Sequence, residues 1–353
     1  MEKYNFKIAN KKIGKGNPVF VIAEISANHN QSFKRAKQLI EAAAKAGVDA
    51  VKIQTYKPDT LTIDCDKKPF VIKSYNKNWN GKTLYELYRD GYMPWDWQPK
   101  LKKIAERLGI ILFSTAYDET SVDFLESINI SAYKVASFEL TDVVLLSKIA
   151  KTKKPVIISR GMGSVEEIKE AVSILKKNGA GGIAVLHCVS SYPAKPEDMN
   201  LKTIPDIEKR FKVVSGLSDH TLGISAAVAS VALGASIIEK HFTLKKSDGG
   251  VDSSFSIEPE ELKKLVKSIR EAEKAIGKVQ YGPIGNEFAE LKGRRSLFAV
   301  KDIKKGEFFT KENIRIIRPN FGLAPKFFFK IIGKKAEKDI GRGTPLEWDL
   351  IEK

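Results

Sequence analysis

Two histidines in the second half of the chain stand where a metal ion could be bound. His220 follows the apolar run Val213–Val214, and His241 follows the next such run, Ile237–Ile238. Because successive strands of a parallel barrel end at the same face, both imidazoles are expected to reach one cavity. Two neutral imidazoles can bind a divalent cation and leave positions open for water and substrate oxygens. The spacing therefore predicts a metal site at His220 and His241.

Ammonium and hydroxyl side chains stand at the ends of the other predicted strands. Phosphate and carboxylate groups need both positive charge and directed hydrogen-bond donors, which this combination provides. The residues are Lys52, Thr115, Lys134, Ser137, Ser159, Ser190 and Ser218. Lys134 also permits a second interpretation, in which its amine forms a Schiff base with a carbonyl substrate, as in aldolases.

Two glutamates at strand ends, Glu24 and Glu139, are candidates for proton transfer or for hydrogen bonds to sugar hydroxyls. Asp219 is expected to orient a neighbour without binding the metal, and His187 is expected to be structural or to support the site. From the residues alone, the chain is predicted to be a metal-dependent enzyme. It would join an anionic phosphorylated compound to a carbonyl compound that the metal polarises.

The elements that must position these residues follow a repeating pattern. Short runs of β-branched residues alternate with amphipathic helical stretches, which is typical of βα units around a parallel sheet. The runs are Val19–Ala23, Ala50–Ile53, Ile110–Phe113, Ala132–Ala136, Val156–Ile158, Ile183–Leu186, Val213–Val214 and Ile237–Ile238. One predicted helix, Phe33–Ala46, has Ser32 as its N-cap and Gly47 just after its end. The pattern predicts an α/β fold, a (β/α)8 TIM barrel.

Two segments depart from the barrel pattern. The insertion Tyr56–Pro94 is rich in aromatic residues, and a loop of this length in a compact domain is usually functional. After the barrel, predicted for residues 1–281, we expect a linker at 282–295 and a small, mostly β domain at 296–353. The small domain contains a near-repeat, in which Asp302–Gly306 returns as Asp339–Gly343.

The composition narrows the class of protein. The formal net charge of +17 suits nucleic acid, a membrane surface or an anionic small molecule. The lysines are scattered and form no arginine-rich tract, which argues against nucleic acid, although a surface- or nucleic-acid-binding module is the alternative from another class. Met1–Lys12 lacks the apolar core of a secretion signal, and Ile224–Ile238 is too short to span a bilayer. A cytoplasmic protein without a membrane partner is expected.

Five motifs at the predicted strand ends resemble those of the sialic acid synthase family. They are Ala23–Asn30, Val51–Thr55, Ala132–Ser137, Gly216–Thr221 and Glu239–Thr243. The resemblance covers nearly the whole chain. It implies a TIM barrel followed by a small antifreeze-like (SAF) domain. It also implies a transferase that condenses phosphoenolpyruvate with an amino-sugar aldehyde to give a nonulosonic acid and phosphate.

The resemblance implies roles for single residues. His220 and His241 resemble the ligands of Mn²⁺ or Mg²⁺. The seven ammonium and hydroxyl residues given above resemble positions that hold phosphoenolpyruvate, which argues against a Schiff base at Lys134. Arg318 resembles an arginine that reaches the partner's active site in a domain-swapped homodimer. The residues that resemble sugar-contacting or proton-handling positions are Glu24, Glu139, Tyr192 and Asp252.

The segment Trp79–Trp97 and the stretch Gly249–Ser256 resemble one branch of the family. The acceptor of that branch is 2,4-diacetamido-2,4,6-trideoxy-L-altrose, whose extra acetamido and methyl groups would pack on the aromatic insertion. N-acetylmannosamine or a legionaminic acid precursor is the alternative acceptor. The implied reaction breaks the C–O bond of the enol phosphate, with water adding at C2 and Glu24 positioning or deprotonating that water.

Three residues depart from the commoner family pattern. Arg160 stands where many relatives have threonine, so it adds a cation near the phosphate or else turns away. Ser190 stands where sialic acid synthases often have asparagine, and Gln31 replaces a frequent glycine in the first loop.

Overall fold

The computed structural model describes residues 4–73 and 79–352 of the chain. These residues form two compact units, which divide between Gly277 and Lys278. In the described part of the chain, no helix is long and apolar enough to cross a membrane.

The first unit is built on a closed barrel of eight parallel strands. A two-stranded hairpin of β1 (Phe6–Ile8) and β2 (Lys11–Ile13) precedes it. The barrel strands, β3 to β10 in chain order, are Phe20–Glu24, Ala50–Thr55, Ile111–Ala116, Tyr133–Val135, Val156–Ser159, Ile183–Cys188, Val214–Asp219 and Ile237–His241. Each strand pairs with the next, and β10 closes the ring against β3, with His241 opposite Glu24. The predicted (β/α)8 barrel is confirmed.

Side chains along each strand alternate between the two faces of the barrel wall. In β3, Phe20 and Ile22 belong to one buried apolar cluster, whereas Val21 and Ala23 belong to another. The next residue on the side of Ile22 is Glu24, where the apolar sequence gives way to a charge. This two-residue repeat brings polar groups from several strands to one level of the barrel interior.

Helices surround the strands and have clear end signals. Those of the first unit, α1 to α10 in chain order, are Phe33–Ala46, Pro58–Leu61, Leu84–Gly91, Gln98–Arg107, Glu119–Ser127, Val143–Lys151, Val165–Lys177, Thr203–Phe211, Ser225–Ala232 and Pro259–Ile276. α1 has its predicted bounds, because the Ser32 hydroxyl accepts a hydrogen bond from the Arg35 amide and Gly47 adopts a φ of 85°. Several strands run further than predicted, because polar residues such as His241 continue the backbone ladder.

The insertion between β4 and β5 has secondary structure of its own. It contains α2 and α3 and a 3-10 turn at Lys68–Phe70. α3 begins with a capping box, in which the side chains of Thr83 and Glu86 each bond the other's backbone amide. Residues 74–78 of the insertion lie outside the described part of the chain.

The second unit contains a two-stranded antiparallel sheet of β11 (Ser296–Ala299) and β12 (Ile314–Ile317). The near-repeat explains part of its structure, because Ile303 and Ile340, one from each copy, exchange two backbone hydrogen bonds of 2.8 Å. Its two short helices are α11 (Glu287–Glu290), which lies inside the segment predicted as a linker, and α12 (Phe328–Ile331). The domain limits at 281 and 296 stay predictions.

Candidate active site

A cavity of about 420 Å³ lies at the carboxyl ends of the barrel strands. Strand ends, the insertion and the loop after β10 all contribute to its lining. The predicted site residues that line it are Lys52, Lys134, Ser137, Glu139, Ser159, Ser190, Tyr192, Ser218, His220, His241 and Asp252. Arg318 belongs to the second unit.

Glu24 and Thr115, which were also predicted as site residues, are absent from the described lining of the cavity but contact Lys52. Glu24 is ion-paired with Lys52, and Lys52 Nζ donates a hydrogen bond to Thr115 Oγ1 at 2.9 Å. Glu24 Oε1 also accepts a hydrogen bond from the Ser26 amide at 2.9 Å. Lys52 therefore lines the cavity while Glu24 and Thr115 fix the position of its ammonium group.

Glu239, which was not predicted as a site residue, completes a charged floor with Glu24, Lys52 and Lys134. Its Oε1 atom lies 3.8 Å from Lys52 Nζ and 3.9 Å from Lys134 Nζ. Burial lowers the pKa of Lys52, but the carboxylates of Glu239 and Glu24 outweigh burial and raise that pKa overall. The signal for Glu239 was available, because the two-residue repeat of β10 places it on the same face as His241.

Lys134 and the nearby hydroxyls form the part of the cavity best suited to an anion. Lys134 Nζ donates to Ser159 Oγ at 2.7 Å, and burial lowers the pKa of this lysine. The Ser137 and Ser190 hydroxyl oxygens are 2.8 Å apart. Gly161 makes room for this pair, because a Cβ at its φ of 44° would lie 2.3 Å from Ser137 Cβ.

The two predicted metal ligands lie side by side. The ring centroids of His220 and His241 are 5.4 Å apart. His220 Nδ1 donates to the Val189 carbonyl at 2.8 Å, so Nε2 is the ring nitrogen left to bind a ligand. His241 Nδ1 is buried without a hydrogen-bond partner in the described residues, and burial followed by the charge of His220 holds the pKa of His241 well below 6.5.

A neutral, incompletely bonded imidazole is the form that binds cations, and the lowered pKa of His241 favours this form. Burial lowers the pKa of His220 but the neighbouring Cys188 raises it overall, so this ring releases its proton when the pair binds a divalent metal ion. Two protein ligands leave further positions for water or substrate oxygens. Within residues 4–73 and 79–352, no three His, Cys, Asp or Glu side chains form a metal-binding group.

Two carboxyl groups on other loops face the cavity. Burial raises the pKa of Glu139 to about 7, and Glu139 Oε2 has no hydrogen-bond partner among the described residues. Burial also raises the pKa of Asp252, against the opposing effect of its hydrogen bond from Ser26 Oγ. Both groups therefore bind a proton more readily than exposed carboxylates do.

The insertion supplies an apolar wall to the cavity, which consists of Tyr56, Leu61, Ile72, Trp79, Leu84, Leu87 and Tyr88. The Trp79 ring lies 5.8 Å from that of Tyr192, and its Nε1 atom donates to the Val251 carbonyl at 2.9 Å. Tyr192 in turn lies 4.2 Å from His220, measured between ring centroids. Trp97, in contrast, packs on Phe33 of α1 at 5.8 Å and is absent from the described lining.

Three other predicted residues point away from the cavity. Arg160 turns away, with its Nε atom donating to His187 Nδ1 at 3.0 Å. His187 therefore has the structural role expected for it, and burial lowers its pKa to about 4. Asp219 accepts hydrogen bonds from Lys240 Nζ at 2.7 Å and from the Thr221 hydroxyl at 2.8 Å, which makes it an orienting residue.

Gln31, the other departure from the common family pattern, joins two segments at the mouth of the cavity. Its Nε2 atom donates to the carbonyls of Asp90 at 3.2 Å and Tyr92 at 2.7 Å, where α3 ends. The side chain thereby connects the loop after β3 to the insertion, which a glycine could not do.

Fold and cavity define a barrel enzyme with a charged, strand-borne floor and a separate apolar wall. The NeuB family matches residues 39–281 and the SAF domain matches residues 294–352, and the chain belongs to the NeuB family. It is 46% identical over 332 residues to the pseudaminic acid synthase of Campylobacter jejuni, covering 93% of this chain and 95% of that protein. It is 38% identical to the N,N'-diacetyllegionaminic acid synthase of Legionella pneumophila, covering 97% of each chain. The crystal structure of the spore coat polysaccharide biosynthesis protein SpsE of Bacillus subtilis matches with a TM-score of 0.67 at 36% identity, over 99% of both chains.

Proposed function

We propose that the protein is a pseudaminic acid synthase, which condenses phosphoenolpyruvate with 2,4-diacetamido-2,4,6-trideoxy-L-altrose to give pseudaminic acid and phosphate. The similarity to the Campylobacter jejuni enzyme supports this proposal. The observation that carries it is the two-sided cavity, which is lined by cations and hydroxyls on or just after the strands and by an aromatic wall from the insertion. The first side suits a phosphorylated carboxylate, and the second suits a deoxygenated, N-acetylated sugar.

Phosphoenolpyruvate is assigned to the floor. Lys52 and Lys134 supply charge, and the hydroxyls of Ser137, Ser159, Ser190 and Ser218 supply directed donors. Thr115 acts through Lys52 by holding its ammonium group. The hydrogen bond between Lys134 and Ser159 supports a binding role for this lysine over a Schiff base.

The acceptor aldehyde is assigned to the histidine side of the cavity. His220 and His241 would hold Mn²⁺ or Mg²⁺, and such an ion would act as a Lewis acid toward the aldehyde. The Val189 carbonyl fixes the tautomer of His220, and Tyr192 covers its ring. Tyr192 and Asp252 line the sugar side and orient the acceptor through their hydroxyl and carboxyl groups.

Carbon–carbon bond formation joins C3 of phosphoenolpyruvate to the aldehyde carbon, and water then adds at C2 before phosphate leaves. Glu139 is assigned the proton transfers, because its pKa of about 7 allows it to donate and accept near neutral pH. Glu24 is assigned an indirect part in activating the water, through the ammonium of Lys52. Heavy-oxygen water should therefore label the C2 oxygen of the product, whereas label found only in phosphate would mean P–O cleavage.

The experiment that tests the function is an assay with phosphoenolpyruvate and each acceptor, followed by the mass of the product. The diacetamido-L-altrose sugar should give a far higher kcat/KM than N-acetylmannosamine or the legionaminic acid precursor. A preference for the legionaminic precursor would instead support the alternative, which the similarity to the Legionella pneumophila enzyme favours.

The domain-swapped homodimer is also proposed, with Arg318 of one chain serving the cavity of its partner. Arg318→Ala and His241→Ala variants should each be inactive alone. When coexpressed, they should regain part of the activity, because a mixed dimer then contains one complete site. If Arg318 serves its own chain, the mixture stays inactive. The cytoplasmic location stays a prediction.

A further inference from the structure

Three tyrosines form a group on one side of the cavity. Tyr56 follows β4, Tyr117 follows β5 and Tyr88 lies on α3 of the insertion. The ring centroid of Tyr56 is 5.3 Å from that of Tyr117 and 5.9 Å from that of Tyr88. In the ring of eight strands, β4 and β5 are two and three places from β10, so this group is separated from His241 around the barrel.

The hydroxyl groups of this side are available to a ligand. Tyr56 Oη donates to the Tyr88 main-chain carbonyl at 3.3 Å, which fixes the Tyr56 ring. Tyr88 and Tyr117 line the cavity, and within residues 4–73 and 79–352 their hydroxyls have no hydrogen-bond partner. Glu139 lies on the same side, and its Oε2 atom is buried and without a partner in that part of the chain.

The electrostatics agree with this arrangement. Burial raises the pKa of Tyr88 and Tyr117, and the nearby Glu139 carboxyl raises the pKa of both further. Both phenols therefore stay protonated and can donate. The side thus contains two hydroxyl donors, one carboxyl group and the apolar side chains of Leu84 and Leu87.

We infer that Tyr88 and Tyr117 form the subsite for the acetamido group at C4 of the acceptor, an inference that rests on the proposed function. An acetamido group presents one N–H donor, one carbonyl acceptor and one methyl group. The tyrosine hydroxyls donate to its carbonyl, and Leu84 and Leu87 contact its methyl group. C4 is three carbons from the aldehyde carbon at the histidine side, so its substituent extends across the cavity toward the tyrosines.

This subsite explains how the enzyme distinguishes the diacetamido sugar from N-acetylmannosamine. N-acetylmannosamine has a hydroxyl group at C4, which is too short to place an acceptor where the acetamido carbonyl lies. A site built for hydrogen bonds discriminates strongly against a ligand that leaves its buried polar groups unpaired. Tyr88 and Tyr117 are thus specificity-determining residues, while the histidines treat both aldehydes alike.

The test compares Tyr88→Phe and Tyr117→Phe with Tyr85→Phe as the matched control. Tyr85 belongs to the same helix, but its hydroxyl bonds Asp59 at 3.1 Å and it is not part of the described lining. Steady-state kinetics should use the diacetamido sugar, N-acetylmannosamine (as an inhibitor if it is not turned over) and phosphoenolpyruvate. Each cavity variant should raise the KM for the diacetamido sugar about tenfold, the loss expected for one hydrogen bond.

The KM for phosphoenolpyruvate, the affinity for N-acetylmannosamine and the kinetics of Tyr85→Phe should stay unchanged. Thermal unfolding checks that all three variants are folded. An equal loss of affinity for both sugars, or a loss of affinity for phosphoenolpyruvate alone, would overturn the subsite. A wild-type enzyme that does not turn over the diacetamido sugar would instead overturn the proposed function.

Discussion

The floor and the apolar wall of the cavity are built in opposite ways. The floor residues Glu24, Lys52, Lys134 and Glu239 are almost completely buried and lie on barrel strands. The wall residues come from one insertion, and all of them except Tyr56 remain partly exposed. A strand-borne floor has its positions set by the barrel register, whereas the wall can differ in length and sequence without altering the barrel.

This difference indicates that the floor and the wall have different functions. Chemistry shared across the family requires fixed charges, and the strands fix them. Choice of acceptor requires a variable surface, and an insertion supplies it. Substitutions in the floor should therefore reduce turnover or phosphoenolpyruvate binding, and substitutions in the wall should affect the sugar.

The largest effect is expected at the strand-borne histidines. His241→Ala removes one of the two proposed cation ligands, so kcat should fall at least about a thousandfold, the equivalent of several kcal/mol of lost Lewis-acid stabilisation. Calorimetry with Mn²⁺ should show weakened binding. His187→Ala is the control, because His187 bonds Arg160 and the Met199 carbonyl away from the cavity. That variant should be less stable yet retain most of its kcat, and a similar loss in both would contradict the assignment.

A methyl group added at Gly161 should change the KM for phosphoenolpyruvate and leave the KM for the sugar unchanged. In Gly161→Ala the new Cβ would lie 2.3 Å from Ser137 Cβ and 2.7 Å from Ser190 Oγ, so it should disturb the hydroxyl pair. We expect the KM for phosphoenolpyruvate to rise roughly tenfold or more, the cost of one or two lost hydrogen bonds. Gly179→Ala is the matched control, because Gly179 also has a positive φ of 89° but has no atom within 4 Å of the added Cβ. If both variants raise that KM, backbone strain explains the effect.

For the wall, we predict different effects of replacing Trp79 and Trp97. Trp79→Ala should raise the KM for the sugar several-fold with little change for phosphoenolpyruvate, because its ring contacts Tyr192 and Phe255 in the cavity lining. Trp97→Ala should instead lower the free energy of unfolding by about 2 kcal/mol, since this half-buried ring packs on α1. Parallel kinetics and urea unfolding measure both quantities. If Trp97→Ala raises the KM for the sugar more than Trp79→Ala does, the wall extends beyond the observed lining.

The floor could be predicted from the sequence better than the wall. The parallel strands and the cap of α1 follow from periodicity and from Ser32 and Gly47, which are local signals. The grouping of Lys52, Lys134 and His241 follows from the common orientation of parallel strand ends. The ion pair of Glu24 with Lys52 could not be predicted, because a strand pattern gives the face of a residue but not its partner, and the catalytic role of Glu24 stays a prediction.

The wall depends on contacts between distant segments, which local patterns do not encode. Trp79 reaches the cavity through a hydrogen bond to Val251, and Gln31 fixes the end of α3 through two carbonyls. Both partners are far away in sequence, so tryptophan composition alone could not separate Trp79 from Trp97. The tyrosine group was missed for the same reason, since Tyr56, Tyr88 and Tyr117 meet only when the insertion folds back over β4 and β5.

The smallest effect concerns Glu139, which lies where floor and wall meet. Its pKa rises from 4.5 to about 7 on folding, because burial disfavours the carboxylate. The neutral acid therefore favours the folded state below pH 4.5, and this contribution is lost as pH rises through 7. Glu139→Gln, which cannot ionise, should gain about 2 kcal/mol relative to wild type between pH 4 and pH 8, allowing for partial exposure. Urea unfolding at both pH values measures the difference, with the exposed Glu86→Gln as the control. A difference that does not change with pH would mean that Glu139 stays ionised in the folded protein and could not donate a proton in the reaction.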